Sequence, residues 1–157
     1  CLRFHAATGL LFSGGWDARV NCWDPRAPVP LRHTLAVPNK VFAMALSDSR
    51  VVIGTSGRQI VIYDVRNLSE PEQRRESSLK YQTRCIRCFP DGSGYAVGSI
   101  EGRVAVDFFD LDPTIQAQKY AFKCHRQGDT VYPVNAMAFH PRHGTFATGG
   151  CDKVYTV

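Results

Sequence analysis

The sequence predicts an all-β fold assembled from repeated four-stranded units. A short pattern of apolar strand, glycine, tight turn and apolar strand returns four times; the runs between turn residues are short and rich in β-branched and aromatic residues; and a single stretch, 112–118, has helical character. The four instances are Leu11-Phe12-Ser13-Gly14-Gly15, Val52-Ile53-Gly54-Thr55, Ala96-Val97-Gly98-Ser99 and Ala147-Thr148-Gly149-Gly150. Aligned on Gly14, Gly54, Gly98 and Gly149, they are offset by 40, 44 and 51 residues. The first two offsets match the roughly 40 to 45 residues of a propeller blade, and the third implies an insertion.

Each unit supplies the other strands that a blade requires. The first unit, 1–36, opens on a first-strand remnant at 1–4 and continues, after the glycine strand, with a third strand at 20–23, the turn Asp24-Pro25-Arg26 and a fourth strand at 31–35. The second unit, 37–79, enters through Pro38-Asn39-Lys40 and has strands at 41–45, 60–63 and around 74–76. The third, 80–128, has a first strand at 84–89, the turn Pro90-Asp91-Gly92, a third strand at 104–107, the short helix that Pro113 is suited to start, and a fourth strand at 120–123. In the fourth unit, 129–157, the first strand at 134–140 separates large from small residues on alternate positions, as expected for a strand gripped on both faces. Its third strand, 154–157, is ragged, and no fourth follows.

The apolar fraction of 44% and the aromatic fraction of 11% over 157 residues suffice for a packed core. No apolar run reaches the eighteen or so residues of a membrane helix, and Cys1-Leu2-Arg3-Phe4-His5 lacks the order of a signal peptide, so a soluble intracellular chain without membrane contact is expected. The chain starts in a strand without Met, which implies that the true N-terminus is missing. A formal charge of +5 points to an acidic partner. The basic residues are scattered, with clusters only at Arg74-Arg75 and 119–126, which argues for an acidic or phosphorylated peptide and against nucleic acid.

Six cysteines are spread through strand-like segments, the pattern of buried free thiols rather than of a disulfide framework. Cys85 and Cys88 have C-x-x-C spacing, but an extended strand sends them to opposite faces and no second pair accompanies them, so no metal is expected. Nor is a catalytic residue or cofactor: no G-x-S-x-G, P-loop or H-E-x-x-H occurs. Gly92-Ser93-Gly94 reads as a hairpin turn, and Asp17, Asp64 and Asp152 lie where a carboxylate caps backbone amides.

Trp23-Asp24 ends one third strand and Tyr63-Asp64 the next; with these the chain resembles the WD-repeat β-propeller family over its whole length. The third unit departs with Val106-Asp107-Phe108, and the fourth has no Trp-Asp. Propellers of this family usually close with seven blades, so the three to four present imply an incomplete ring, with strand edges and apolar faces left open and marginal stability. The stretches 74–87, 99–106 and 120–126 resemble the mitotic-checkpoint Bub-type propeller; the related mRNA-export propeller of the nuclear pore shares the patterns at 100–104 and 122–126.

The checkpoint resemblance implies a non-enzymatic scaffold at the nucleus and kinetochore, in part cytoplasmic, that binds peptides independently of ubiquitin. Its partners would be Bub-family checkpoint kinases, through their Gle-binding-sequence motif, and phosphorylated Met-Glu-Leu-Thr repeats of a kinetochore scaffold; the export resemblance implies a nucleoporin. The positions matching the family's binding residues are Trp16, Arg103 and Arg126, with Glu101 and Lys123 beside them. Arginine suits the task because its planar fork meets carboxylate or phosphate oxygens in pairs and keeps its charge.

Overall fold

The computed structural model describes residues 1–157, which form two compact units, Cys1–Glu76 and Ser77–Val157. The first unit holds two antiparallel four-stranded sheets, each in sequence order: β1 (Leu2–His5), β2 (Leu10–Gly14), β3 (Arg19–Trp23) and β4 (Leu31–Ala36), then β5 (Val41–Leu46), β6 (Arg50–Thr55), β7 (Gln59–Asp64) and β8 (Gln73–Glu76). The second unit holds a third such sheet, β9 (Thr83–Cys88), β10 (Gly94–Ser99), β11 (Arg103–Phe108) and β12 (Tyr120–Lys123), with one turn of helix, α1 (Pro113–Gln116), before β12. A two-stranded hairpin follows, β13 (Arg126–Gln127) and β14 (Thr130–Val131), then a three-stranded sheet, β15 (Val134–Phe139), β16 (Phe146–Gly150) and β17 (Tyr155–Thr156). The expected all-β architecture of successive four-stranded units is therefore present. No helix is long and apolar enough to cross a membrane.

The strands form where the sequence alternates or runs apolar. In β6 and β7 the runs Val51-Val52-Ile53 and Ile60-Val61-Ile62 are buried on both faces, as continuous apolar strands must be to leave water. Phe12, Val20, Met44, Ile53, Val61 and Tyr63 pack into the first unit's core; Cys85, Ala96, Val104, Val134 and Met137 form that of the second, with Phe89, Phe122, Phe139 and Phe146 packed against it.

Two of the repeated glycines, Gly14 and Gly98, have a steric cause, whereas a Cβ on Gly149 would meet nothing within 4 Å. A Cβ on Gly14 would lie 2.8 Å from Val41 Cγ1, and one on Gly98 2.7 Å from Cys85 Sγ and 2.9 Å from Val134 Cγ1. In both places the first strand of the following sheet presses against the glycine, so any side chain there would push it away. The excess length between Gly98 and Gly149 is taken up by α1 and the β13–β14 hairpin.

Asp24, just past β3, and Asp64, the last residue of β7, hold equivalent turns. Asp24 Oδ1 accepts from the Arg26 N–H at 3.1 Å and Nε at 3.0 Å; Asp64 Oδ1 accepts from the Arg66 N–H at 2.8 Å and Nε at 2.9 Å. The Arg66 guanidinium lowers the Asp64 carboxyl to about 2. Trp23 Nε1 donates to Ser13 Oγ at 2.8 Å, tying β3 to β2.

The thiols need a correction. All six are free, but only Cys22 and Cys85 are buried; Cys1 and Cys151 are exposed, both lying outside the strands, and Cys88 and Cys124 are half-buried. The third strand of the last sheet covers only Tyr155–Thr156, shorter than 154–157.

Candidate functional site

One end of the β9–β12 sheet gathers four of the five residues singled out above. The β10–β11 turn carries Glu101 and Gly102 and delivers Arg103 as the first residue of β11. Gly102 has φ +59°, and a Cβ there would meet the Cys124 carbonyl oxygen at 2.6 Å. Only glycine permits both the backbone twist and this approach. The approach is fixed by the Cys124 N–H, which donates to the Gly102 carbonyl at 2.9 Å.

With Cys124 held there, Arg126 reaches back and its Nη2 donates to the Glu101 carbonyl at 2.8 Å. Arg103 Nε lies 3.5 Å from Glu101 Oε2, and Arg103 stands directly opposite Lys123 in the β11–β12 register. Like charges on facing cross-strand positions repel. Arg103 Nε is buried yet has no hydrogen-bond partner. Three cations thus gather at one turn, Arg103 against the Glu101 carboxylate, Arg126 against the Glu101 carbonyl and Lys123 across from Arg103, an arrangement suited to accepting a further carboxylate or phosphate.

The segment carrying Arg126 is anchored by a buried polar trio. His125 is 4% exposed; its Nδ1 lies 2.9 and 3.0 Å from the Asp152 carboxylate oxygens and its Nε2 3.0 Å from Thr148 Oγ1. Burial raises the Asp152 carboxyl, but the hydrogen bonds from His125 and the Val154 N–H outweigh it and hold the group below its ordinary value. Asp152 is therefore an acceptor only, which assigns the His125 proton to Nδ1. Asp152 does accept from the Val154 N–H, at 3.4 Å, but its main partner is His125, a role the sequence reading missed. Gln127 Nε2 donates to the Asp152 carbonyl at 3.1 Å and draws the β13–β14 hairpin to the same point.

Trp16 belongs to the first unit, in the β2–β3 turn. It is 72% exposed, with Lys40 Nζ over its ring at 5.5 Å from the centroid, so a cation rests on an otherwise solvent-exposed indole. No group of three or more His, Cys, Asp or Glu side chains gathers as a metal site.

The four-stranded repeat agrees with comparison to known proteins: the model of the WD domain, G-beta repeat, matches residues 1–24 and 116–154. The chain thus carries the WD-repeat signature at two places along its length. It is similar to the mitotic checkpoint protein BUB3.1 of Arabidopsis thaliana, 58% identical over 160 residues that cover 97% of this chain and 47% of that protein. It is 49% identical to the mitotic checkpoint protein bub3 of Dictyostelium discoideum, over 96% of this chain and 47% of the relative. The protein RAE1 of Arabidopsis thaliana is 43% identical over 84% of this chain and 37% of its own length. The chain thus spans about half the length of the checkpoint relatives it matches.

Proposed function

We propose that this chain serves as a non-enzymatic interaction scaffold of the spindle assembly checkpoint, acting in the nucleus and at kinetochores and in part in the cytoplasm. The observation that carries the reading is the convergence of Arg103, Lys123 and Arg126 around the Glu101 turn, in a chain 58% identical to a mitotic checkpoint protein. Its partners are Bub-family checkpoint kinases, bound through the Gle-binding-sequence motif, and phosphorylated peptides of a kinetochore scaffold. Arg103 and Arg126 take the carboxylate or phosphate, Lys123 adds charge, and the Glu101 turn holds Arg103 through its carboxylate and Arg126 through its carbonyl. Trp16 supplies an apolar contact from its own turn. The blade units are 1–36, 37–79, 80–128 and 129–157.

A second reading, an mRNA-export adaptor that docks a nucleoporin, is favoured by the similarity to relatives named for RNA export, such as the poly(A)+ RNA export protein of Schizosaccharomyces pombe, 39% identical over 99% of this chain. Titration calorimetry with Gle-binding-sequence peptides from a checkpoint kinase and from a nucleoporin separates the two. A charge-assisted contact contributes about 1.5–3 kcal/mol, so Arg103→Glu is expected to weaken the kinase peptide tenfold or more. Tighter binding of the nucleoporin peptide selects the export reading, and no binding of either discards both.

A further inference from the structure

β4 is the outermost strand of the first sheet and pairs only with β3. Of its six residues only Leu35 is buried, and Arg32 is its one formal charge. Two cavities, of about 440 and 580 Å³, follow one another along it. The first touches residues 32 and 33, the second 34–36, and both touch Leu68 and Ser69 of the β7–β8 connection. Successive residues of a strand point to opposite faces, so a groove that touches five in a row follows the edge of β4 and not one of its faces. One bank is therefore a row of backbone N–H and C=O groups without a neighbouring strand, and the other is the segment 65–71. The opening belongs to the fold of the first unit: both banks come from complete four-stranded sheets, and every lining residue falls within Cys1–Glu76. Leu35 and Leu68, 3% and 7% exposed, join the core beneath it.

The charge along the groove gives the occupant its sign. Arg26, Arg32, Arg66 and Arg74 line it against only two carboxylates, Asp24 and Glu70. Asp24 Oδ1 is already taken by Arg26 Nε at 3.0 Å, so Arg32, whose Nη1 stands 3.5 Å from Oδ2, is held loosely. Arg74, at the other end, is exposed. The excess charge beside an open strand edge is positive. We propose that this groove receives an extended acidic segment of another protein, which adds a fifth strand to β1–β4 along β4 and sets its carboxylates against Arg32 and Arg74. Main-chain hydrogen bonds to β4 supply the pairing, and the arginines select the acidic sequence. The site is separate from the Arg103 cluster, which belongs to the second unit.

The test uses the full chain and three fluorescein-labelled ten-residue peptides: one of alternating Val and Glu, one with every Glu replaced by Lys, and one of the Val-Glu sequence with all backbone nitrogens methylated, which keeps the charges and removes every main-chain donor. Fluorescence anisotropy should show the unmodified Val-Glu peptide binding at least tenfold more tightly than either control. Arg74→Glu, at an exposed side chain, should weaken it about tenfold, and Arg32→Gln should weaken it in the same direction. In the 15N spectrum the amides of 31–36 and 66–70 should shift while those of 101–103 stay, and hydrogen exchange should slow within β4. Equal binding of the methylated or the Lys peptide, or shifts confined to 101–103, overturns the proposal. So does sedimentation showing that the chain associates with itself through the 31–36 amides and takes up no peptide, which would give the edge to a second copy.

Discussion

In the sheet β5–β8, five consecutive residues of β6 and four of β7 are buried, whereas in β15–β17 burial is confined to Val134, Met137 and Thr148. The first sheet is held by apolar area removed from water, a force without direction. The last is held in addition by a directed set of hydrogen bonds that runs from Thr148 on β16 through His125 to Asp152. The difference matters for placement. Apolar packing secures a strand, but a polar trio with a fixed tautomer secures one backbone segment at one point, and here that segment carries Arg126.

The comparison is broken most strongly at Ile53, fully buried in β6. Ile53→Ala should cost about 2–5 kcal/mol in urea unfolding followed by circular dichroism; a loss below about 1 kcal/mol would show that this sheet does not depend on apolar packing. Asp152→Ala should cost less, about 1–3 kcal/mol, the penalty of leaving the buried His125 N–H without an acceptor. Hydrogen exchange should then accelerate at 124–131 while β6 keeps its protection, and uniform acceleration would refute the local role. The smallest effect lies in acid. Asp64, at about 2, and Asp152, also lowered, bind protons less readily folded than unfolded. Their stabilisation is present above about pH 4, the unfolded carboxylate value, and is lost as pH falls through the folded values. Carboxyl 13C titration should place both midpoints below the unfolded one, and a midpoint for Asp64 at or above 4 would remove its tie to Arg66.

Most of the strands were legible because their apolar runs are bounded by turn residues, as at 51–53 between Asp48-Ser49 and Gly54. The β13–β14 hairpin was not. Its strands are two residues each and polar, so they leave no period to detect, although Gly128-Asp129 between Gln127 and Thr130 has the composition of a two-residue hairpin turn. Missing it also hid that Arg126 returns to Glu101. The pairing of His125 with Asp152, 27 residues apart, has no local signature in a single chain. The candidate residues came from resemblance; their convergence on one turn came from register, with Arg103 facing Lys123.

β8 and β12 are both outermost strands with an unpaired edge, and they are differently guarded. β8 reads Gln73-Arg74-Arg75-Glu76, three charges in four residues, while β12 reads Tyr120-Ala121-Phe122-Lys123, with one. A neighbouring molecule that adds a strand along β8 must bury that charge, whereas along β12 it meets mostly ring and methyl groups. Of these two edges, β12 is therefore the one more open to the growth of a sheet from one molecule into the next, with Lys123 as its single charge.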